Sequence, residues 1–266
     1  MTTLSIIIVS FNARADLDRC LASIEAAPPA TSCEILVVDN QSTDGSADEA
    51  RRRPAVRVIE MGTNAGFSRA NNAGIRASTG RVLLLLNSDT VVPPGAIDAL
   101  VATLDSHPEV AVVGPRLVDG NGQAELSFGS MISPLNELRQ QRRTQEAIER
   151  MTREPRYPDW VSGACLLVRR ADAEGVGLLD ERYFMYTEDV DFCASIRERG
   201  RRVLFTPDVE VVHLRGRSAA GAPAATREAY RRSHLAFYQK HHPFLVPLLR
   251  VYLWFRGADK QRQIRR

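Results

Sequence analysis

In the first hundred positions, short apolar runs alternate with stretches in which apolar residues recur at helical spacing. Leu4-Ser5-Ile6-Ile7-Ile8-Val9 is short, apolar and largely β-branched, the pattern of a strand buried on both faces of a parallel sheet. Leu17, Leu21 and Ile24 then follow a helical period. Glu34-Ile35-Leu36-Val37-Val38 predicts a second strand, ending in the polar turn 39–46. Val56-Arg57-Val58-Ile59 predicts a weaker strand, Val82-Leu83-Leu84-Leu85-Leu86 a strong one, and Val110-Ala111-Val112-Val113-Gly114 another. Residues 62–72, rich in Gly and Asn, open a helix. This βαβ rhythm predicts an α/β fold with a mostly parallel central sheet flanked by helices.

After residue 120 the rhythm changes. Residues 121–158 mix Gly, Pro and charge around a helix-prone basic stretch at 139–153, and a segment that long predicts a mobile loop over a site. Residues 161–170 read as a strand and turn, 187–199 as a helix stopped by Gly200, and 202–205 and 209–212 as two short strands. No internal repeat is present. The expected organisation is a single domain over 1–226 and a basic amphipathic segment over 227–266.

Composition narrows the class. The chain has 266 residues, 44% hydrophobic and 25% charged, as expected for one large globular domain. No run of 18 uncharged apolar residues predicts a membrane span. Met1-Thr2-Thr3 leads straight into a strand without the basic flank of a secretory signal, and Cys20, Cys33, Cys165 and Cys193 lack metal-type spacing. Both features predict a cytoplasmic protein with reduced thiols. The net charge of +3 conceals an asymmetry: residues 227–266 carry ten Lys/Arg against Glu228 and Asp259, a net +8, which leaves the body at −5. A mildly acidic body argues against nucleic-acid binding and assigns any anionic partner to the tail.

Ligands of open parallel sheets bind at the carboxyl ends of the strands. Ser10-Phe11-Asn12, Asp39 and Asn87-Ser88-Asp89 fall at three such ends. Each alone reads equally as a helix cap or turn former; three at corresponding ends point to a site. A carboxylate such as Asp39 can accept the N3–H shared by uracil and thymine. Asp89, after a buried strand, can hold a hard divalent cation that neutralises a diphosphate.

These residues carry a resemblance. Ser-Phe-Asn after the first strand, Val-Val-Asp-Asn-Gln-Ser-Thr-Asp-Gly-Ser at 37–46, Asn-Ala-Gly-Phe-Ser-Arg-Ala-Asn-Asn at 64–72 and Leu-Leu-Asn-Ser-Asp at 85–89 occur in the order found in family 2 glycosyltransferases with the GT-A fold. Phe184-Met185-Tyr186-Thr187-Glu188-Asp189-Val190-Asp191-Phe192 is similar to that family's acidic catalytic motif, and His213 resembles its third metal ligand. The set spans about 4–218 and most resembles the rhamnosyltransferase-like branch that builds cell-envelope polysaccharides.

The resemblance implies an inverting, metal-dependent transfer from a dTDP- or UDP-sugar, dTDP-L-rhamnose among them, to a hydroxyl of a glycan or lipid-linked glycan. It implies Asp189 as the base, Glu188 orienting the acceptor, and Asp191 capping or bracing the helix. Asp89 and His213 would hold Mn2+ or Mg2+, with Asn87 on sugar or ribose. It implies Ser10, Asn12, Asp39, Ser42, Asn64, Phe67, Arg69, Asn71 and Ser88 on the donor, Arg69 serving a phosphate. Trp160 and Gly163 fall on the acceptor side, where a Trp face can lie against a pyranose or simply fill core. Asn87 stands where the family's metal motif usually has Asp, which removes one negative charge from the site. A nucleotidyltransferase would instead want a Gly-rich basic loop after the first strand, and a non-catalytic sugar-nucleotide-binding protein is the rival outside enzymes.

The stretch 243–255 is apolar and aromatic but contains Pro247 and Arg250. Flanked by basic residues, it reads either as an interfacial segment at the inner face of the membrane or as a helix packed on the domain or on a second copy in a homodimer.

Overall fold

The computed structural model describes residues 3–134, 136–137, 143–214 and 223–250, without the side chains of 223–227. Strands β1 (Leu4–Ser10), β2 (Cys33–Asp39), β3 (Val56–Glu60) and β4 (Val82–Asn87) alternate with helices α1 (Arg14–Ala26), α2 (Ser46–Arg51) and α3 (Phe67–Ala77). A short β5 (Thr90–Val91), α4 (Ala96–Ser106) and β6 (Val110–Val118) follow. Then come β7 (Phe128–Gly129), α5 (Gln145–Met151), β8 (Trp160–Val161), β9 (Cys165–Arg169), α6 (Arg170–Gly175), α7 (Glu188–Glu198), β10 (Arg202–His213) and α8 (Pro223–His241).

The sheet order is β3-β2-β1-β4-β9-β6-β10-β5, with β7 and β8 forming a separate two-stranded ribbon. Pairing is parallel across β3, β2, β1 and β4 and between β6 and β10, while β9 runs antiparallel between β4 and β6. The expected mostly parallel sheet with helices on both faces is what forms.

The strands bury both faces, so their side chains divide by period two. Leu4, Ile6 and Ile8 of β1, with Leu84 and Leu86 of β4, pack against Leu17, Leu21 and Ile24 of α1 and Leu100 and Leu104 of α4. Ile7 and Val9, with Leu83 and Leu85, face Ala70 and Ile75 of α3 and Phe192 and Ile196 of α7. All four cysteines are free; burial pushes the Cys20 and Cys165 thiols up to about 12.

Three expected elements differ in detail. The strands at 202–205 and 209–212 are one strand, β10, whose pairing with β6 slips between Thr206 and Glu210. Pro207 lies in that slip and lacks the N–H a regular ladder needs. The stretch 161–170 divides into β8 and β9 around a turn. In the basic stretch 139–153, the described helix is α5, begun where the Thr144 side chain accepts from Ala147 N–H at 3.3 Å; residues 138–142 lie outside the described residues.

The described part of the tail is packed on the domain. Phe237, Tyr238 and Leu249 are buried with Tyr183 and Val190. His234 meets Glu137 (2.6 Å) and His242 Nε2 meets the Ile132 carbonyl (2.9 Å). The packed alternative therefore describes α8, while residues 251–266 lie outside the described residues. No described helix is long and apolar enough to cross a membrane.

Candidate active site

Strand register builds the first part of the site. Ser10 pairs with Asp39 across β1 and β2, and Val9 pairs with Asn87 across β1 and β4, so the three polar residues end neighbouring strands. Each carries a buried oxygen with no protein partner: Ser10 Oγ, Asp39 Oδ1 and Asn87 Oδ1. The other Asp39 oxygen accepts from Ser42 N–H at 2.9 Å, which fixes the carboxylate and leaves Oδ1 buried without a protein partner. Unmatched buried oxygens cost about 1–3 kcal/mol each, and a row of them at one sheet edge marks a place where a ligand supplies the partners.

The second part forms where β10 returns. β5 pairs antiparallel with β10, Thr90 opposite His213, and Leu214 N–H donates to the Asp89 carbonyl at 2.8 Å. This register brings His213 Nε2 to 3.3 Å from Asp89 Oδ1, while Nδ1 lies 3.1 Å from Glu125 Oε2. Burial would lower the histidine pKa, but hydrogen bonds and charge from Asp89 and Glu125 outweigh it and raise the pKa to about 9. With Nδ1 committed to a carboxylate, Nε2 is the nitrogen presented to Asp89, an arrangement typical of metal-binding histidines. Among the described residues no three His, Cys, Asp or Glu side chains form a ready metal cluster. Asp89 and His213 face each other as the two donors that would hold a Mn2+ or Mg2+ ion.

The third part is the acidic motif at the start of α7. Tyr186 (φ 71°) and Thr187 (φ 66°) both occupy the left-handed region that non-glycine residues avoid, a strain typical of functional turns. Three pins hold this turn. Phe67 N–H donates to the Phe184 carbonyl (2.6 Å), and Gly66 (φ 88°) permits the approach, since a Cβ there would lie 2.5 Å from that oxygen. Ser233 Oγ of α8 donates to the Met185 carbonyl (2.7 Å). Gly163 N–H donates to Asp189 Oδ2 (2.9 Å), and Val190 N–H to Oδ1 (2.8 Å). Burial raises the Asp189 pKa against those two donors. Glu188 is buried with Oε2 unpartnered, and burial, then the adjacent Asp189 charge, push its pKa well above the usual carboxylate range. The pair thus offers a held, basic carboxylate beside a second one able to take a hydroxyl proton's hydrogen bond.

Comparison with known proteins decides the family. Residues 5–174 match the model of glycosyl transferase family 2. The chain belongs to this family. It is 32% identical over 262 aligned residues to an N-acetylglucosaminyl-diphospho-decaprenol L-rhamnosyltransferase of Mycobacterium tuberculosis, covering 90% of this chain and 85% of that one. It is 26% identical to the low-salt glycan biosynthesis hexosyltransferase Agl10 of Haloferax volcanii, over 79% of this chain and 66% of the other. Among solved structures, the mannosyltransferase PcManGT of Pyrobaculum calidifontis in complex with GDP-Man and Mn2+ aligns with a TM-score of 0.63, at 20% identity, over 93% of this chain and 68% of that one. GalNAc-T7 with UDP, GalNAc and Mn2+ gives 0.62, at 21% identity, over 80% and 44%. The fold is GT-A, and the protein is a glycosyltransferase using a nucleotide-sugar donor.

Within this glycosyltransferase the expected residues fall into two groups. Ser10, Asp39, Asn87, Ser88, Asp89 and His213 gather along the strand ends, and Gly163, Glu188 and Asp189 form the acidic end. Others make contacts within the protein. Asn12 and Ser42 hold each other's loops: Asn12 N–H donates to Ser42 Oγ (3.0 Å) and Asn12 Oδ1 accepts from Thr43 N–H (2.8 Å). Asn64 Oδ1 accepts from Asn40 Nδ2 (2.9 Å), and Asn71 Nδ2 donates to the Phe67 carbonyl of its own helix (3.0 Å). Arg69, expected on a phosphate, is paired with Glu181 (3.4 Å) on an exposed face. The Trp160 indole N–H donates to the Ser130 carbonyl (3.0 Å), and its ring lies so close over Gly129 that a Cβ there would sit 2.7 Å from it. Asp191 braces: it accepts from Tyr183 Oη (3.1 Å), Lys240 (2.8 Å) and His241 (2.6 Å). Sequence reasoning missed Glu125 and Asn40, because each acquires its role only through a partner distant in the chain.

Proposed function

We propose that the enzyme transfers L-rhamnose from dTDP-rhamnose, with inversion and dependence on Mn2+ or Mg2+, to a hydroxyl of N-acetylglucosamine in a lipid-linked diphosphate acceptor. The observation that carries the donor assignment is the row of unpartnered Ser10, Asp39 and Asn87 oxygens at adjoining strand ends. Asp39 Oδ1 can accept a pyrimidine N3–H, and Ser10 Oγ and Asn87 Oδ1 can serve ribose or sugar hydroxyls. The sugar and acceptor are taken from the mycobacterial relative, which aligns over nine-tenths of this chain.

In this reading Asp189, steadied by Gly163 and Val190, accepts the proton of the attacking hydroxyl, and Glu188 hydrogen-bonds the same acceptor ring. The oxygen then attacks the anomeric carbon from the face opposite the diphosphate, which departs with the glycosyl bond pair. Asp89 and His213 would hold the cation, whose charge would offset that of the departing diphosphate. Glu125 keeps His213 turned towards Asp89. We extend the proposal to a peripheral contact with the inner membrane surface. Phe244 and Leu248 are exposed, 95% and 69%, close in sequence to Arg250, and the basic residues 256–266 follow.

The test is a thermal-shift panel of UDP-, dTDP- and GDP-sugars with Mn2+, followed by transfer from the best donor to a short-chain prenyl-diphospho-N-acetylglucosamine. A selective shift by dTDP-rhamnose and a disaccharide-lipid product are expected. Selection of a GDP-sugar, or full transfer in excess chelator, overturns the reading.

A further inference from the structure

The acidic motif is bordered by aromatic side chains that the reaction just described does not use. Phe184 is 44% exposed in the turn before α7, and Tyr230 of α8 is 48% exposed. Tyr230 stands edge-on to Tyr186, ring centroids 5.8 Å apart at 65°, with His234 next along α8 at 5.6 Å. The Ser233 bond to the Met185 carbonyl fixes this turn of α8 against the motif, and Tyr186 lies in it with a left-handed backbone (φ 71°), two residues before Glu188 opens α7. Burial and then the Glu188 charge raise the Tyr186 phenol pKa. Close to this pair, Glu188 Oε2 and Thr187 Oγ1 are buried without a protein partner.

We propose that Tyr186 and Tyr230 form the wall of the acceptor subsite, receiving the apolar face of the pyranose that carries the attacked hydroxyl. A pyranose presents C–H groups on its face and hydroxyls at its edge. An aromatic wall beside unpartnered oxygens matches both. Trp160, read from sequence as either a platform or core filling, has its N–H bonded and its ring against Gly129, and α8 adds a second aromatic surface in Tyr230. The C-terminal helix thereby determines acceptor choice. This rests on the glycosyl-transfer reading and adds to it a specificity residue outside the matched segment 5–174.

The test compares the full-length enzyme with Tyr230→Ala and Tyr230→Trp. Binding of N-acetylglucosamine 1-phosphate in the presence of dTDP and Mn2+ is read by saturation-transfer NMR, and transfer to the prenyl-linked acceptor by KM and kcat. Tyr230→Ala should weaken saturation of the ring protons and raise acceptor KM about five- to tenfold, as loss of one aromatic face does. The thermal shift by dTDP and the hydrolysis of donor by water should stay unchanged. Tyr230→Trp should restore binding and KM. An unchanged acceptor KM in the alanine variant, absence of ring saturation in the wild type, or a parallel loss of donor hydrolysis each overturns the subsite. Ring saturation without any transfer from dTDP-rhamnose overturns the donor assignment and leaves the subsite standing.

Discussion

At the end proposed for the donor, Ser10, Asp39 and Asn87 arrive on neighbouring strands whose register sets them side by side. At the end proposed for the acceptor, Gly163, Glu188–Asp189 and Tyr230 arrive on three separate segments joined by individual hydrogen bonds and a ring contact. The first geometry follows from the backbone ladder and is insensitive to any one side chain. The second depends on a few pins: Phe67 to Phe184, Ser233 to Met185, and Lys240 and His241 to Asp191. On the proposed assignment, the nucleotide end and the acceptor end are thus held by different forces. Loop and helix surfaces carried on a rigid sheet commonly divide labour in this way.

The sharpest division comes from Asp189→Asn. The substitution is nearly isosteric, but an amide in place of the Oδ2 carboxylate oxygen cannot accept the acceptor proton. Transfer should fall about 10²–10⁴-fold, with Mn2+-dependent binding of dTDP-rhamnose unchanged by calorimetry. Near-normal transfer would remove Asp189 as base, and lost donor binding would show that the two ends are not separable.

Glu125→Gln attacks the donor end alone. The amide keeps the shape beside His213 Nδ1 but removes the charge that helps to hold the ring. Outer partners of metal-binding histidines are worth about 10–100-fold in metal affinity. Titration with Mn2+ in the presence of dTDP should show that loss, while acceptor KM at saturating Mn2+ stays constant. Unaltered Mn2+ affinity would mean that His213 is not a ligand or needs no orienting partner.

Strand-end chemistry was legible in the sequence because it follows from period and position alone. An apolar run followed by Asp39, or by Asn87-Ser88-Asp89, places polar groups at a sheet edge whatever the rest of the chain does. Contacts across long separations carry no local signal. Glu125 sits in a polar hairpin indistinguishable from a solvated turn until β10 brings His213 beside it. Tyr230 reads as part of a basic tail until Ser233 docks α8 on the motif. Arg69 shows another long-range partner: its place in a Gly- and Asn-rich loop suits phosphate, and in the free protein it pairs with Glu181, a contact the sequence does not signal. Trp160 was ambiguous between platform and packing, and Gly129 beneath it is what makes the packing tight.

The smallest expected effect concerns stability and runs against activity. Glu188 is buried with one oxygen unpartnered, and its folded pKa is raised well above the ordinary value by burial and by Asp189. A carboxyl group whose folded pKa is raised costs nothing below its unfolded pKa, near 4.3, because both states are then protonated. As pH rises from the unfolded value towards the folded one, the unfolded chain releases this proton while the native state keeps it, so stability falls until the folded group ionises as well. Glu188→Gln removes that penalty while preserving shape. The variant should therefore match the wild type near pH 4.5 and exceed it at pH 8 in urea unfolding, while its acceptor KM rises. A variant no more stable at pH 8 than the wild type would mean that Glu188 is already neutralised by a partner in the free enzyme. The acceptor end would then be a satisfied structure rather than one held open for a hydroxyl.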